Sequence, residues 1–220
     1  MNSNATETTA APRATRNAAA TAERILQAAI QEFAEHGYMG ARIDAIARRA
    51  EANIRMLYHY FGSKENLYVQ VLETVFAGIR TQEQALHLRD YEPLDAMRRL
   101  FDFTHDHFAA NPLFIRILIG ENLADARHLR RSKVVQSLSS PLLVAIDEVL
   151  QRGAALGVFR TGIDPLQLYV SIVALSYFHL SNGPTMSWLF SANLADPQWR
   201  AKRKEHARSM LLAYLELPGP

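Results

Sequence analysis

From Thr21 to the end of the chain, apolar side chains recur at intervals of three and four, and no segment alternates apolar with polar. That spacing predicts an all-α chain and leaves no segment that reads as a strand. Ile25, Leu26, Ala29, Ile30 and Phe33 form the buried stripe of a first helix, which Thr21 or a neighbour can cap and Gly37 can end in a left-handed conformation. A short second helix carries Ile43, Ile46, Ala47 and Ala50. A third runs from about Asn53, a good N-cap, to Tyr60, with Leu57 and Tyr60 turned inward. A fourth opens at Ser63, with Glu65 in its first turn to complement the dipole, and continues through Leu67, Val71, Leu72, Val75 and Phe76.

Prolines punctuate the rest. Leu94 to Ala110 ends at Asn111-Pro112; a strongly apolar helix follows to about Leu123; and a long one, about Ser132 to Leu156, contains Pro141, which should kink or divide it before Gly157 ends it. Asp164-Pro165 and Asp196-Pro197 each supply a cap and a first-turn proline for the last two helices. The count comes to about nine helices, without heptads or internal repeats.

Composition narrows the chemistry. The 220 residues contain no cysteine, which excludes disulfide scaffolds, thiolate metal sites and cysteine nucleophiles and agrees with a cytoplasmic location. The formal net charge is only +2, so a nucleic-acid partner must be argued from local residues. The longest apolar run, Leu168 to Leu180, is 13 residues and holds two serines and a histidine, against the roughly 20 a membrane span needs. Ala, Thr and Asn fill 16 of the first 22 places, so residues 1–20 are expected to form a disordered arm, with Arg13 and Arg16 its only cations. His105-Asp106-His107 is not a metal site, because side chains two apart on a helix point in opposing directions. No nucleophile elbow, phosphate loop or zinc-protease signature occurs, and neither a catalytic residue nor a cofactor is assigned.

The three short helices between Thr21 and Tyr60 have the lengths of a helix-turn-helix. Ala47 and Ala50 allow a close crossing, with Ile46 and Leu57 filling the wedge, and the third helix is free to enter a major groove about 12 Å wide. Within the stretch Ile25 to Leu72, the motifs Phe33-Ala34-Glu35-His36-Gly37-Tyr38, Ile43-Asp44-Ala45-Ile46-Ala47, Leu57-Tyr58-His59-Tyr60-Phe61 and Ser63-Lys64-Glu65-Asn66-Leu67-Tyr68 follow in order. This stretch resembles the DNA-binding domain of the tetracycline-repressor (TetR) family. The order of the later helices resembles that family's pyrimidine- and nicotinate-catabolism regulators.

The resemblance implies a helix-turn-helix domain over 21–68 and a larger ligand-binding and dimerisation domain over 69–220. It implies a homodimeric transcriptional regulator, most often a repressor, that binds a palindromic operator in double-stranded DNA and responds to a small-molecule effector. Asn53, Ile54, Arg55 and Met56 then face the bases, while Tyr58, His59 and Lys64 take the places of phosphate contacts. Arg42 stands where the family usually has a hydroxyl residue. Arg13 and Arg16 would reach the minor groove. By the residues alone, Tyr60 and Phe61 read as core, and Tyr58 fits either role. The first 68 residues hold 8 basic and 7 acidic side chains, so DNA binding requires Glu23, Glu32 and Glu35 to be turned from the reading face. Where the family usually has Gly-Val before the recognition helix, this chain has Glu51-Ala52. A positive φ at Glu51 would store on the order of 1 kcal/mol.

In the second half, polar groups interrupt apolar helices. Phe101, His105, Phe108, Arg116, Glu121, Asn122 and Tyr177 are the candidate effector contacts, with Arg116 the candidate anion partner. Leu168, Ile172, Leu175 and His179, then Met210, Leu211, Tyr214 and Leu215, are the candidate dimer stripe on the last two helices. Two rival readings stay open: a helical small-molecule enzyme, which predicts turnover without DNA binding, and a protein-interaction module, which predicts a heteromeric complex and no operator.

Overall fold

A computed structural model describes the backbone of residues 13–217 and, within that span, all side chains except those of 13–17 and 138–140. Ten α-helices succeed one another, and the one bridge between extended segments among the described residues pairs Phe159 with Glu216. The chain divides into two compact units between Val71 and Leu72.

The first unit contains α1 (Arg13–Gly40), α2 (Ile43–Arg49), α3 (Ile54–Phe61) and the start of α4 (Lys64–Gln84). Helix α1 begins inside the segment expected to be disordered, so that boundary is corrected to Arg13. Ala18, Ala19 and Ala20, strong helix formers, extend the helix upstream of its apolar stripe. The side chains of Arg13 and Arg16, and with them the expected minor-groove contact, lie outside the described residues. Gly37 adopts a φ of 67° and interrupts α1 as its position predicts. Ile25, Ala29, Phe33, Ile46, Ala47, Ala50 and Leu57 are buried, which is the packing the close crossing requires. Phe61 is core, whereas Tyr60 is only half-buried.

The turn from α2 to α3 is a Schellman motif. Ala52 N–H donates to the Ala47 carbonyl at 2.9 Å and Glu51 N–H to that of Arg48 at 3.1 Å. The first residue beyond the Ala50 cap is Glu51, at φ 50°, where glycine would be unstrained. Glu51→Gly is therefore expected to stabilise the chain by about 0.5–1 kcal/mol. The check is a rise in the urea midpoint at an unchanged slope; an unmoved or lowered midpoint means that no strain is held there.

The second unit comprises the remainder of α4, α5 (Pro93–Ala110), α6 (Pro112–Leu123), α7 (Val134–Ala155), α8 (Pro165–Ser181), α9 (Gly183–Leu189) and α10 (Pro197–Leu215), with 3₁₀ turns at Leu88–Asp90 and Leu129–Arg131. Asp164 and Asp196 cap α8 and α10, accepting from the amides of Gln167 at 2.7 Å and Trp199 at 2.8 Å. One core gathers Met97, Leu100, Phe101, Ile146, Val149, Phe159, Leu168, Ile172, Leu211 and Leu215; a second gathers Ile79, Phe108, Phe114 and Ile115. Helix α7 runs undivided through Pro141, so of the kink or division expected there the division does not occur. Val135 before it and Leu142, Ile146 and Val149 after it are all buried, and that packing holds both halves in one helix despite the missing hydrogen bond. Helix α9 goes beyond the expected nine; at seven residues it is too short to show a period.

The dimer stripe also needs correction. Leu168, Ile172, His179, Leu211 and Leu215 are buried within the chain itself and Leu175 is half-buried; only Met210 and Tyr214 of that set are exposed. Helix α8 is apolar nearly all round, so it fills the core with one side and leaves Leu166, Val170 and Phe178 exposed on another. Among the described residues no helix is long and apolar enough to cross a membrane.

Candidate nucleic-acid interface and effector site

Helix α3 is capped by Asn53, whose Oδ1 accepts from Arg55 N–H at 2.8 Å. That bond occupies the side chain's acceptor, so Asn53 fixes the helix start as well as lying exposed beside it. The following residues present an unusual surface: Ile54, Met56 and Tyr58 are 42%, 37% and 48% exposed, and Arg55 and His59 are also exposed. Apolar side chains do not gain by facing water, and here three are exposed on the same short helix as a guanidinium.

The other cations of this unit are occupied. Arg42 and Arg48 share Asp44, at 3.1 and 2.9 Å, and their hydrogen bonds hold its carboxyl below the usual range. Arg49 pairs with Glu35 at 2.8 Å and Glu32 at 3.7 Å. Arg24 donates to the carbonyl of Ala50, and Lys64 lies 5.0 Å from the centre of the Tyr38 ring and 3.5 Å from the Met39 carbonyl, with burial lowering its pKa. Among the described residues of this unit, Arg55 is the basic side chain whose guanidinium has no protein partner. Of the acids that had to be turned from the reading face, Glu32 accepts from Arg42 N–H at 3.1 Å and Glu23 from Gln27 at 2.8 Å. Glu32, Glu35 and His36 bring three possible ligand atoms within 4.8 Å, but Arg49 already supplies their counter-charge.

In the second unit the predicted effector residues fall into two groups. Phe101, His105, Phe108 and Tyr177 form two pairs along α5 and α8: Phe101 and His105 rings lie 6.1 Å apart in one core, and those of Phe108 and Tyr177 5.5 Å apart in the other. Arg116 and Asn122 stay exposed on α6, apart from this set. Glu121 is buried but consumed locally, accepting from the amides of His128 at 2.7 Å and Leu129 at 2.8 Å and pairing with His128 Nδ1 at 3.1 Å. His105 and His107 indeed face different surroundings, His105 stacked on His179 at 5.3 Å and His107 beside Phe114 at 5.7 Å.

Residues the sequence did not single out add to the picture. Arg80 donates to the Tyr169 hydroxyl at 2.9 Å, which donates to Glu83 at 2.9 Å, closing a buried triad with the Arg80–Glu83 ion pair. Burial pushes the Glu83 carboxyl and the Tyr169 hydroxyl up. A cavity of about 230 Å³ lies beside Glu83, between Gln84, His87, the Leu88–Asp90 turn and Pro141, Leu142 and Ala145 of α7, and none of the predicted effector residues lines it. Arg80 and Glu83 stand three apart on α4, but Tyr169 is on α8, so only the fold brings the triad together.

Two family models match the chain: bacterial regulatory proteins of the tetR family over residues 25–71, and a tetracyclin repressor-like C-terminal domain over residues 93–211, more than half its length. The chain belongs to the TetR family. It is 38% identical over 181 residues to the HTH-type transcriptional repressor NicS of Pseudomonas putida, covering 82% of this chain and 85% of that one. It is 26% identical over 201 residues to the HTH-type transcriptional regulator RutR of Escherichia coli, covering 90% and 91%. Of solved structures, a transcriptional regulator of Streptomyces coelicolor, SCO4942, superposes with a TM-score of 0.65 at 26% identity, covering 90% of this chain and 99% of that one. The ketosteroid regulator KstR2 of Mycobacterium tuberculosis shares the fold at 18% identity, with a TM-score of 0.66 over 89% and 96% of the two chains. This TetR-family member is a helix-turn-helix regulator of transcription.

Proposed function

We propose that the chain is an effector-responsive cytoplasmic repressor, not an enzyme, that binds a palindromic operator as a homodimer, with residues 21–68 reading DNA and 69–220 binding effector and partner. The unpaired, exposed guanidinium of Arg55 at the start of α3 carries the DNA reading. A guanine offers it two acceptors in the major groove, while Ile54 and Met56 suit thymine methyls. Tyr58 and His59 are placed one turn on, where phosphate contacts set register. Arg42 and Lys64 are already engaged within the protein and would have to exchange partners to reach phosphate. For the dimer, Leu166, Val170 and Phe178 of α8 with Met210 and Tyr214 of α10 replace the buried stripe as the partner face.

Two reading helices must then sit about 34–36 Å apart, or a multiple of that, to engage both half-sites. An effector that prefers a different spacing releases the DNA, and a 99:1 inversion of occupancy requires a preference of about 5.5 kcal/mol. Selection from a random duplex library tests the reading. A palindromic winner is expected; no enrichment, with or without candidate effectors, would remove it. Arg55→Ala is expected to lower affinity for that winner by about 10–100-fold while leaving weak, sequence-independent binding in place. An unchanged preference at every base pair takes Arg55 off the reading face.

A further inference from the structure

Five buried side-chain polar atoms have no hydrogen-bond partner among the described residues, and four of them fall in one cluster: His105 Nε2, Ser176 Oγ, and both ring nitrogens of His179. Ser176 and His179 lie three apart on α8, on one face, and His105 of α5 stacks on His179 at 5.3 Å with the rings 18° apart. Phe101 and Trp199 flank the pair, 6.1 Å from His105 and 6.0 Å from His179. Buried polar groups are almost always satisfied, so four orphans in one place need an explanation. The buried Arg80–Glu83–Tyr169 triad does not rival them, since both Glu83 oxygens already have partners.

The hydrogen-bond roles follow from chemistry. His105 Nδ1 lies 3.4 Å from Asp106 Oδ1, a carboxylate that can only accept, so Nδ1 carries the proton and Nε2 is a bare acceptor. His179 offers one donor and one acceptor in its neutral form, and Ser176 can act either way. Burial favours neutral imidazoles at both positions, and the nearby Arg200 and Arg203 reinforce this at His179. The charges of Asp102, Asp106, Lys204 and Arg208 are spent on one another. No charged group is within hydrogen-bond reach of the orphaned atoms among the described residues, so a cation entering here would meet only Arg200 and Arg203, and an anion would lose its hydration for guanidiniums that act at longer range.

We propose that His105, Ser176 and His179 form the point at which the effector docks, and that they take a small, flat, uncharged molecule with a hydrogen-bond donor beside an acceptor, of the amide class. The inference rests on the regulator reading and adds the ligand's chemistry. The orphaned atoms are not open to solvent, so entry requires helices α5, α8 and α10 to part around them, which couples occupancy to their arrangement.

Benzamide, benzoate and toluene are probes of one shape and three polarities. With Trp188→Phe, which removes the exposed one of the two tryptophans, emission reports on Trp199 beside His179. Benzamide is expected to change that emission saturably at neutral pH, with benzoate weaker by about tenfold or more. Ser176→Ala and His179→Phe, checked for folding by their melts, are expected to weaken benzamide by about tenfold each and to leave toluene unaffected. Benzoate binding as tightly as benzamide overturns the proposal. So does toluene binding as tightly as benzamide, or silence with all three. Operator binding is measured separately without probe: if it persists while the probes are silent, the ligand assignment falls and the regulator reading stands, and the reverse result removes that reading.

Discussion

Gly153→Ala is expected to destabilise the chain by about 2–3 kcal/mol, a large effect for one methyl group. Glycine at 153 is buried in α7, and a Cβ built there would lie 2.0 Å from Phe159 Cδ2. Phe159 is itself 1% exposed and belongs to the main core of the second unit. The turn after α7 folds back on the helix, with the amides of Val158 and Phe159 both donating to the Gly153 carbonyl. The next residue is tied to the end of α10, where Arg160 N–H donates to Leu215 at 2.9 Å and Arg160 Nε to Glu216 at 3.0 Å. Phe159 therefore cannot swing aside without disturbing the α10 terminus. Urea titration of Gly153→Ala, Phe159→Leu and the double variant gives the coupling. The double variant should lose less than the sum of the two singles. A neutral Gly153→Ala means that the close approach is not a constraint.

Acid should destabilise the fold well above the carboxylate range, and His179 sets the window. Burial, then the neighbouring His105, Arg203 and Arg200, lower its pKa from 6.5 to about 4. The unfolded chain takes up a proton as the pH falls through 6.5, while the native chain resists until about 4. Stability from this residue is thus fully present above 6.5 and is lost on descending to 4, by about 3 kcal/mol at 1.36 kcal/mol for each tenfold. His105 is lowered in the same direction, mainly by burial. Melts from pH 7.5 to 4.5 should show the fall, and His179→Phe should flatten it. An equally steep fall in His179→Phe would place the acid sensitivity elsewhere.

What the sequence made legible was local. Asn53, Asp164 and Asp196 are caps because their side chains bond amides two or three residues on, and such bonds show in residue order. Ile46, Ala47 and Leu57 were legible as the helix crossing because small and large residues alternate there at helical spacing. Glu51 was legible as a strained position only through the family resemblance, which usually has glycine there. The proposed partner face was not legible. Helix α8 is apolar on nearly every side, so periodicity could not separate Leu168 and Ile172, which fill the core, from Val170 and Phe178, which face out. The proposed effector site was half legible. Its aromatic and histidine members on α5 stand out on an apolar helix, but the match of His105 with Ser176 and His179 depends on how two distant helices pair. Arg116 and Glu121 attracted notice by charge alone; the first is exposed on α6, and the second is held by His128 and Leu129.

The central claim is a dimeric reader of a two-fold DNA site, and binding stoichiometry on the selected duplex tests it most directly. Titration of labelled full and half-site duplexes from 50 to 200 mM salt should show two chains per full site. The half-site should bind far more weakly, and affinity should fall steeply on a log–log salt plot, by about 10³-fold or more if six or more phosphates are contacted. One chain per duplex, with the full site, half-site and a scrambled duplex bound equally, would contradict the account.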